Sequence, residues 1–292
     1  MTACRLCPRG CGTDRETGGG FCRVGKAPTV ARAALHMWEE PCLSGGNGSG
    51  TVFFFGCNLA CVYCQNYPIS RGQTGKEITK ARLSEIFREL VDLGADNINL
   101  VTPTHFSDVI AETLRKEKPP VPVVWNCGGY ESVETLRTLE GLIDVYMPDM
   151  KYAFSAPAAR YSNAPDYPER AKAAILEMFR QRGRYVLDDR GLIKSGVIIR
   201  HLILPGNPEN TFGVIDWAAE TFKPGQVLFS LMSQFTPTEN CAAFPEINRP
   251  LNRQEHERAI EYLGASGIED GFYQDLGSVG ESFIPPFDLT GV

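Results

Sequence analysis

From residue 51 onward the chain alternates between short apolar runs and longer stretches whose apolar residues recur at helical spacing. The run TVFFFGC (51–57) is rich in β-branched and aromatic residues, which predicts a buried strand. In TKARLSEIFRELVDLGA (79–95), Leu83, Ile86, Phe87, Leu90 and Leu93 recur at helical intervals and Gly94 supplies a stop, predicting a helix. The alternation then continues. Strands are predicted over 97–103, 121–130, 143–152, 196–206 and 226–237. Helices are predicted over 107–118, 132–141, a longer stretch ending near Arg182, 210–222 and 252–267. GFYQD (271–275) predicts a short terminal strand. Six β–α repeats with continuously apolar strands imply a parallel sheet covered by helices. The expected fold class is therefore α/β, a partial (β/α)6 TIM-like barrel, with an open doubly wound sheet as the alternative.

Residues 1–50 show little sustained periodicity, many glycines (GGNGSG at 45–50) and five of the ten cysteines. This predicts a small irregular cysteine-rich module, 1–50, attached to a barrel with a C-terminal extension, 51–292. A bound metal would substitute for the core that such a segment lacks.

Composition narrows the function. Of 292 residues, 43% are hydrophobic and 22% charged, an ordinary globular balance. No apolar run approaches the length of a membrane span, and MTACRLCPRG has no apolar signal region, so a cytoplasmic protein with no membrane partner is expected. The net charge of −6 argues against nucleic acid as the main partner. There is no GxSxG elbow, no phosphate loop ending in Lys-Ser or Lys-Thr, and no GxGxxG after a strand.

The cysteines carry the chemistry. With no export signal, clustered thiols read as metal ligands more than as disulfides. Cys57, Cys61 and Cys64 follow a C-x3-C-x2-C spacing just after the first predicted barrel strand. Three thiolates on one compact loop suit three irons of a [4Fe–4S] cubane and leave the fourth iron open, whereas a zinc site would usually be closed by a fourth cysteine. Cys4, Cys7, Cys11 and Cys22 follow C-x2-C-x3-C-x10-C, which suits a second metal site, either zinc or iron–sulfur. Cys42 is a fifth candidate there and could replace Cys4. Cys127 and Cys241 read either as hydrogen-atom donors or as buried apolar groups.

The triad in its strand context resembles the radical SAM superfamily. The surrounding text, EEPCLSGGNGSGTVFFFGCNLACVYCQNYPIS, is similar to proteins related to pyruvate formate-lyase activating enzyme. A subgroup of these carries a leader like CRLCPRGCGTDRETGGGFC. The resemblance implies a [4Fe–4S] cluster, S-adenosylmethionine, and reductive cleavage of the sulfonium to a 5′-deoxyadenosyl radical. That radical abstracts a hydrogen atom from an unidentified substrate, a glycyl radical enzyme partner or else a small molecule or peptide. Flavodoxin or ferredoxin is the implied electron donor. Residue by residue, the resemblance places Tyr63 near the adenine and Asn126, Asp149 and Lys151 beside S-adenosylmethionine. Arg200 falls on the arginine-bearing strand, where a guanidinium can fork onto the carboxylate. Many relatives carry Gly-Gly-Glu after the second strand. This chain has Thr102-Pro103-Thr104 instead, so Thr102 is the substitute contact. Gln234 stands where the activating enzyme has a histidine. His201 points to the opposite face from Arg200 and is expected to be structural. The rival from another class is a non-catalytic metal-binding or sensor protein.

Overall fold

The computed structural model describes residues 3–278 and 284–292. Ten strands form one sheet system: β1 (Thr29–His36), β2 (Ser49–Phe54), β3 (Lys76–Glu77), β4 (Ile98–Val101), β5 (Val123–Cys127), β6 (Val145–Pro148), β7 (Val186–Leu187), β8 (Ile193–Leu202), β9 (Leu228–Met232) and β10 (Gly271–Tyr273). Their order is β10-β9-β8-β6-β5-β4-β2-β1-β3, with β7 paired to β8. From β2 to β10 every neighbour on this path is parallel. The six predicted strands are β2, β4, β5, β6, β8 and β9, in sequence order around a partial barrel. β10 adds the predicted terminal strand, in parallel.

Helices alternate with these strands because their apolar residues fall on one stripe. Lys80–Asp92 is capped by the Thr79 side chain, which accepts the Arg82 N–H at 3.1 Å. Its Leu83, Ile86, Phe87 and Leu90 are at most 2% exposed, and each such burial contributes about 2 kcal/mol. Leu93, expected on the same stripe, is 65% exposed, because the helix has already ended and Leu93 is its C-cap. Ser107–Lys116, Val133–Thr138, Tyr167–Arg182, Pro208–Thr221 and Arg253–Ala265 complete the six β–α units.

Alternation sends successive strand residues to opposite faces. Ile98, Leu100, Val123, Trp125, Val197 and Ile199 face outward into the main core under the helices. Val124, Val145, Met147, Ile198 and Leu228 face inward and form a separate apolar cluster on the barrel's inner side. Cys42 and Leu43, from the short helix Pro41–Ser44 between β1 and β2, pack into that inner cluster.

The irregular stretch is shorter than the sequence predicts. Thr29–His36 forms β1, antiparallel to β2 from Val30↔Phe54 to His36↔Ser49. Its alternation is masked by three alanines, which carry little hydropathy contrast. Residues 3–28 contain no helix or strand and fold over the loop that follows β2. The Arg9 guanidinium donates to the Asn58 carbonyl at 2.9 Å, and Arg71 donates to the carbonyls of Phe21 (2.9 Å) and Leu59. At the other end of the chain, Ala33 N–H donates to the Thr290 carbonyl at 2.8 Å, fastening the C-terminus to β1.

Candidate active site

The loops at the C-terminal ends of β2, β4, β5 and β6 meet the inner face of β8 and β9 around a cavity of about 720 Å³. Cys57, Cys61, Cys64 and Tyr63 line it from the loop after β2, with Thr102 after β4 and Asn126 on β5. Asp149 and Lys151 after β6, Arg200 on β8 and Gln234 after β9 complete the set expected for the cofactor.

The three cysteines sit on a loop with no regular structure, so their spacing is set by turns. Each sulfur accepts one hydrogen bond: Cys57 from Leu59 N–H at 3.4 Å, Cys61 from the Ser162 hydroxyl at 2.9 Å and Cys64 from the Ser70 hydroxyl at 3.4 Å. The Ser162 bond ends a hydroxyl chain, with Tyr152 to Ser162 at 2.6 Å and Tyr63 to Tyr152 at 2.7 Å. Tyr63 therefore connects to a cysteine as well as lining the cavity. Burial pushes the Cys57 thiol up to about 12, and the neighbouring Cys61 and Cys64 add to it. Three thiolates this close together coexist only where a strong positive charge compensates them. That requirement, together with the donors on each sulfur, fits a cluster bound by three cysteines.

The charged residues form one chain through the cavity. Arg200 Nε donates to Asp149 Oδ1 at 2.9 Å and Arg200 Nη2 donates to Asn126 Oδ1 at 2.7 Å. Lys151 Nζ donates to Asp149 Oδ2 at 2.6 Å. Burial opposes the charge on Asp149, but Arg200 and then Lys151 outweigh it and hold the carboxyl below its ordinary value. Burial likewise works against the Lys151 ammonium, and Asp149 outweighs it, so the amine is held above its ordinary range. Arg200 Nη1 lies 3.7 Å from Glu39 Oε2. Two of the three guanidinium nitrogens are thus already engaged within the chain, and Nη1 is the one that faces a looser contact.

Local backbone explains two further positions. Thr102 has φ +58°, a left-handed conformation that strains a β-branched residue, and its N–H donates to the Asn126 carbonyl at 2.8 Å. Gly129 has φ +78°, and a Cβ there would lie 2.1 Å from the Asp149 carbonyl. The glycine turn after β5 therefore lets that backbone lie directly against the Asp149 carbonyl. Gln234 Oε1 accepts from Gln274 at 3.1 Å, and its carbonyl accepts from Gln65 at 2.9 Å.

His201 lies on the outer face of β8, with Nδ1 2.7 Å from the Met150 carbonyl and Nε2 3.1 Å from the Thr211 hydroxyl. Cys241 is fully buried beside Thr238 and the Val62 carbonyl and does not line the cavity. Cys127 is 2% exposed and reaches the cavity wall from the end of β5. Glu39 and Glu40, which line the cavity from the segment after β1, escaped sequence reasoning. The only signal for them was the acidic pair just before Cys42 in a stretch expected to be irregular.

In the leader, Cys4, Cys7, Cys11 and Cys22 lie near one another. Cys4 N–H donates to Thr13 O and Gly12 N–H to Cys4 O, both at 3.1 Å, which brings Cys4 against Cys11. Cys7 and Cys22 each sense the charge of Cys4. Cys42 does not join them. It is 4% exposed in the inner barrel cluster with Leu43 and Val124, because Pro41–Ser44 turns into the barrel instead of toward the leader. Among the described residues, no three His, Cys, Asp or Glu side chains are drawn around a single ion position, and this applies to both cysteine sets.

A three-cysteine loop at the mouth of a partial parallel barrel, facing a charged cavity, defines a class of enzyme that mounts an open iron–sulfur cluster. The chain belongs to the radical SAM superfamily, whose family profile matches residues 51–218. It is 31% identical to the uncharacterized protein MJ0674 of Methanocaldococcus jannaschii over 268 residues, covering 88% of this chain and 73% of that one. Among solved structures it is similar to SuiB of Streptococcus suis bound to S-adenosylmethionine, with a TM-score of 0.50 and 13% identity over 75% of this chain. It is also similar to HydG, a maturase of the [FeFe]-hydrogenase, with a TM-score of 0.48 and 17% identity over 74% of this chain. The chain spans about half the length of these structures, 48% in each case. The protein is a radical SAM enzyme, and membership implies a [4Fe–4S] cluster, S-adenosylmethionine and an electron donor. Among the described residues no helix is long and apolar enough to cross a membrane.

Proposed function

We propose that this enzyme generates a 5′-deoxyadenosyl radical in the 720 Å³ cavity and uses it to abstract a hydrogen atom from a substrate held there, in the manner of the activating enzymes related to pyruvate formate-lyase activating enzyme. The observation that carries this reading is the convergence of all ten expected cluster- and cofactor-facing positions on one cavity. Cys57, Cys61 and Cys64 would hold the cluster. With cluster and S-adenosylmethionine bound, the pair supplies reductive cleavage of the sulfonium.

The chain's own residues do the rest. Asn126 and Arg200, through the Nη1 that is only loosely held by Glu39, orient the amino-acid end of S-adenosylmethionine through hydrogen bonds and charge. Asp149 fixes Arg200 and Lys151 in place, so their orientation is settled before the ligand arrives. Tyr63 offers an aromatic wall for the adenine, and Thr102 presents backbone and hydroxyl groups at the end of β4. The surrounding barrel excludes water and oxidants. Flavodoxin or ferredoxin is the proposed donor, and a glycyl radical protein is the proposed substrate, with a small molecule or peptide as the alternative. The leader thiols Cys4, Cys7, Cys11 and Cys22 are proposed to hold a second metal, zinc or an iron–sulfur cluster.

The test is anaerobic reconstitution with iron and sulfide, followed by reduction in the presence of S-adenosylmethionine. Formation of 5′-deoxyadenosine by the wild type and its loss in Cys57→Ala, Cys61→Ala and Cys64→Ala are expected. Cleavage retained in the triple variant would refute the assignment, and absence of cleavage in the wild type would favour a non-catalytic metal protein.

A further inference from the structure

Three glutamines from distant parts of the chain meet on one wall of the cavity: Gln65 beside Cys64, Gln234 after β9 and Gln274 after β10. Backbone groups fix which way each amide points. The Ser233 N–H donates to Gln274 Oε1 at 3.0 Å, so that amide turns its NH2 toward Gln234. Gln274 Nε2 then donates to Gln234 Oε1 at 3.1 Å, which leaves Gln234 Nε2 over. Gln65 Nε2 donates to the Gln234 carbonyl at 2.9 Å, which leaves Gln65 Oε1 over. A backbone N–H only donates and a backbone C=O only accepts, so no amide of this ladder reverses without losing a bond. Gln234 Nε2 and Gln65 Oε1 have no hydrogen-bond partner among the described residues, and neither is sealed from solvent. The wall therefore offers the cavity one free donor and one free acceptor, with their places set in advance.

Among the described residues no charged side chain bonds any of the three amides, and Asp275, the acid beside them on this wall, is exposed. An ammonium only donates and a carboxylate only accepts, whereas an amide does both from two separate atoms. A second observation selects a peptide among amides. β10 borders the cavity and has one sheet neighbour, β9, among the described residues. Phe229 N–H donates to the Asp270 carbonyl at 3.0 Å, and Gln274 N–H donates to the Leu231 carbonyl at 3.1 Å. With Asp270 and Gln274 facing β9, the alternation of a parallel ladder turns the N–H and C=O of Gly271 and Tyr273 to the open edge. Both residues are exposed. An extended chain laid along such an edge pairs with it through its own backbone. Gln234, Gln274 and β10 all lie beyond residue 218, where the superfamily profile ends, in a part of the chain that is free to differ with the substrate.

We propose that the Gln65–Gln234–Gln274 ladder is a subsite for a peptide amide of the substrate, with the peptide extended along the open edge of β10. The proposal rests on the radical SAM reading of the same cavity. It makes the substrate a peptide segment, and it assigns Gln234 to that segment in place of S-adenosylmethionine.

The reconstituted enzyme, saturated with S-adenosylmethionine, is titrated with N-acetyl-triglycine N-methylamide and with the analogue whose amide N–H groups are replaced by ester oxygens, each followed by ligand-observed NMR. The peptide is expected to bind saturably and at least about fivefold more tightly than the ester, the size of one hydrogen bond. Gln65→Ala removes the free acceptor. Gln274→Glu draws Gln234 Nε2 onto the new carboxylate and so removes the free donor. Each is expected to abolish the preference for the peptide. No saturable binding of the peptide, equal binding of peptide and ester, or a preference unchanged in either variant overturns the proposal. So does a fall in S-adenosylmethionine affinity as large as the fall in peptide affinity, which would assign the amides to the adenine. If Gln65→Ala does not take up the cluster, Gln274→Glu carries the comparison. Formation of 5′-deoxyadenosine in the same preparation is scored separately, so failure of the peptide subsite and failure of the radical chemistry are distinguishable.

Discussion

His201 and His105 show how burial sets chemistry one residue at a time. Burial lowers each imidazole to about 4 in the fold, although backbone carbonyls partly oppose the shift. In the unfolded chain both protonate near the ordinary value of about 6.5. Between these values the unfolded state binds more protons, so stability is complete above about pH 6.5 and is lost as pH falls toward about 4. Each imidazole accounts for up to about 3 kcal/mol of that loss. Denaturant midpoints measured across this window should fall with acid, and less steeply in His201→Gln. An identical slope in the variant would show that His201 titrates alike in both states. At Thr102 the φ of +58° predicts a gain for Thr102→Gly of up to about 1 kcal/mol, seen as a higher unfolding temperature. A lower temperature would mean that the Thr102 side chain contributes more than the strain costs. Ser162 offers a redox readout. Ser162→Ala removes the 2.9 Å hydrogen bond to Cys61 and should make the potential of the bound cluster more negative by potentiometric titration, because sulfur hydrogen bonds favour the reduced state.

The elements that position the site are the parallel strands and the short helix Pro41–Ser44. The strands were legible because fully buried strands read as continuous apolar runs, as in the VFF end of β2 and in Val145–Pro148. β1 and Pro41–Ser44 were not legible. One is a strand rich in small residues, and the other is a single turn held by its packing. Leu43 is 1% exposed inside the barrel, so Leu43→Ala should cost about 2–5 kcal/mol in chemical denaturation. Cys42→Ala should destabilise less and leave iron and zinc content unchanged, since Cys42 is buried among apolar residues apart from both cysteine sets. A loss of metal in Cys42→Ala would return it to the leader site.

At the scale of the whole molecule, the leader and the cluster loop are fastened to each other. Arg71 donates to carbonyls of Phe21, Cys57 and Leu59, and its guanidinium lies 4.4 Å from the Phe21 ring centre. Arg71→Ala is expected to cost about 1–3 kcal/mol and to raise hydrogen exchange over 3–28 and 57–64 together, leaving 253–265 protected. Loosening of the leader alone would show that the cluster loop stands without it.

The sequence by itself determined the β–α alternation, the class of the barrel and the three-cysteine loop, because each rests on local spacing: apolar runs, helical intervals and thiols a few residues apart. The family resemblance nominated Asn126, Asp149, Lys151 and Arg200, and Arg200 also stood out as a cation on an apolar strand. Only the tertiary structure decided how these groups pair. Arg200 and Asp149 are 51 residues apart in the chain, and Arg200 and Asn126 are 74 apart, yet each pair is joined by a hydrogen bond. The third dimension also turned Pro41–Ser44 inward, separating Cys42 from the leader cysteines and bringing Glu39 and Glu40 to the cavity wall. Spacing along a chain fixes what neighbours can do, but a partial barrel brings residues from distant strands onto one inner face, and the pairing of their charges is settled there.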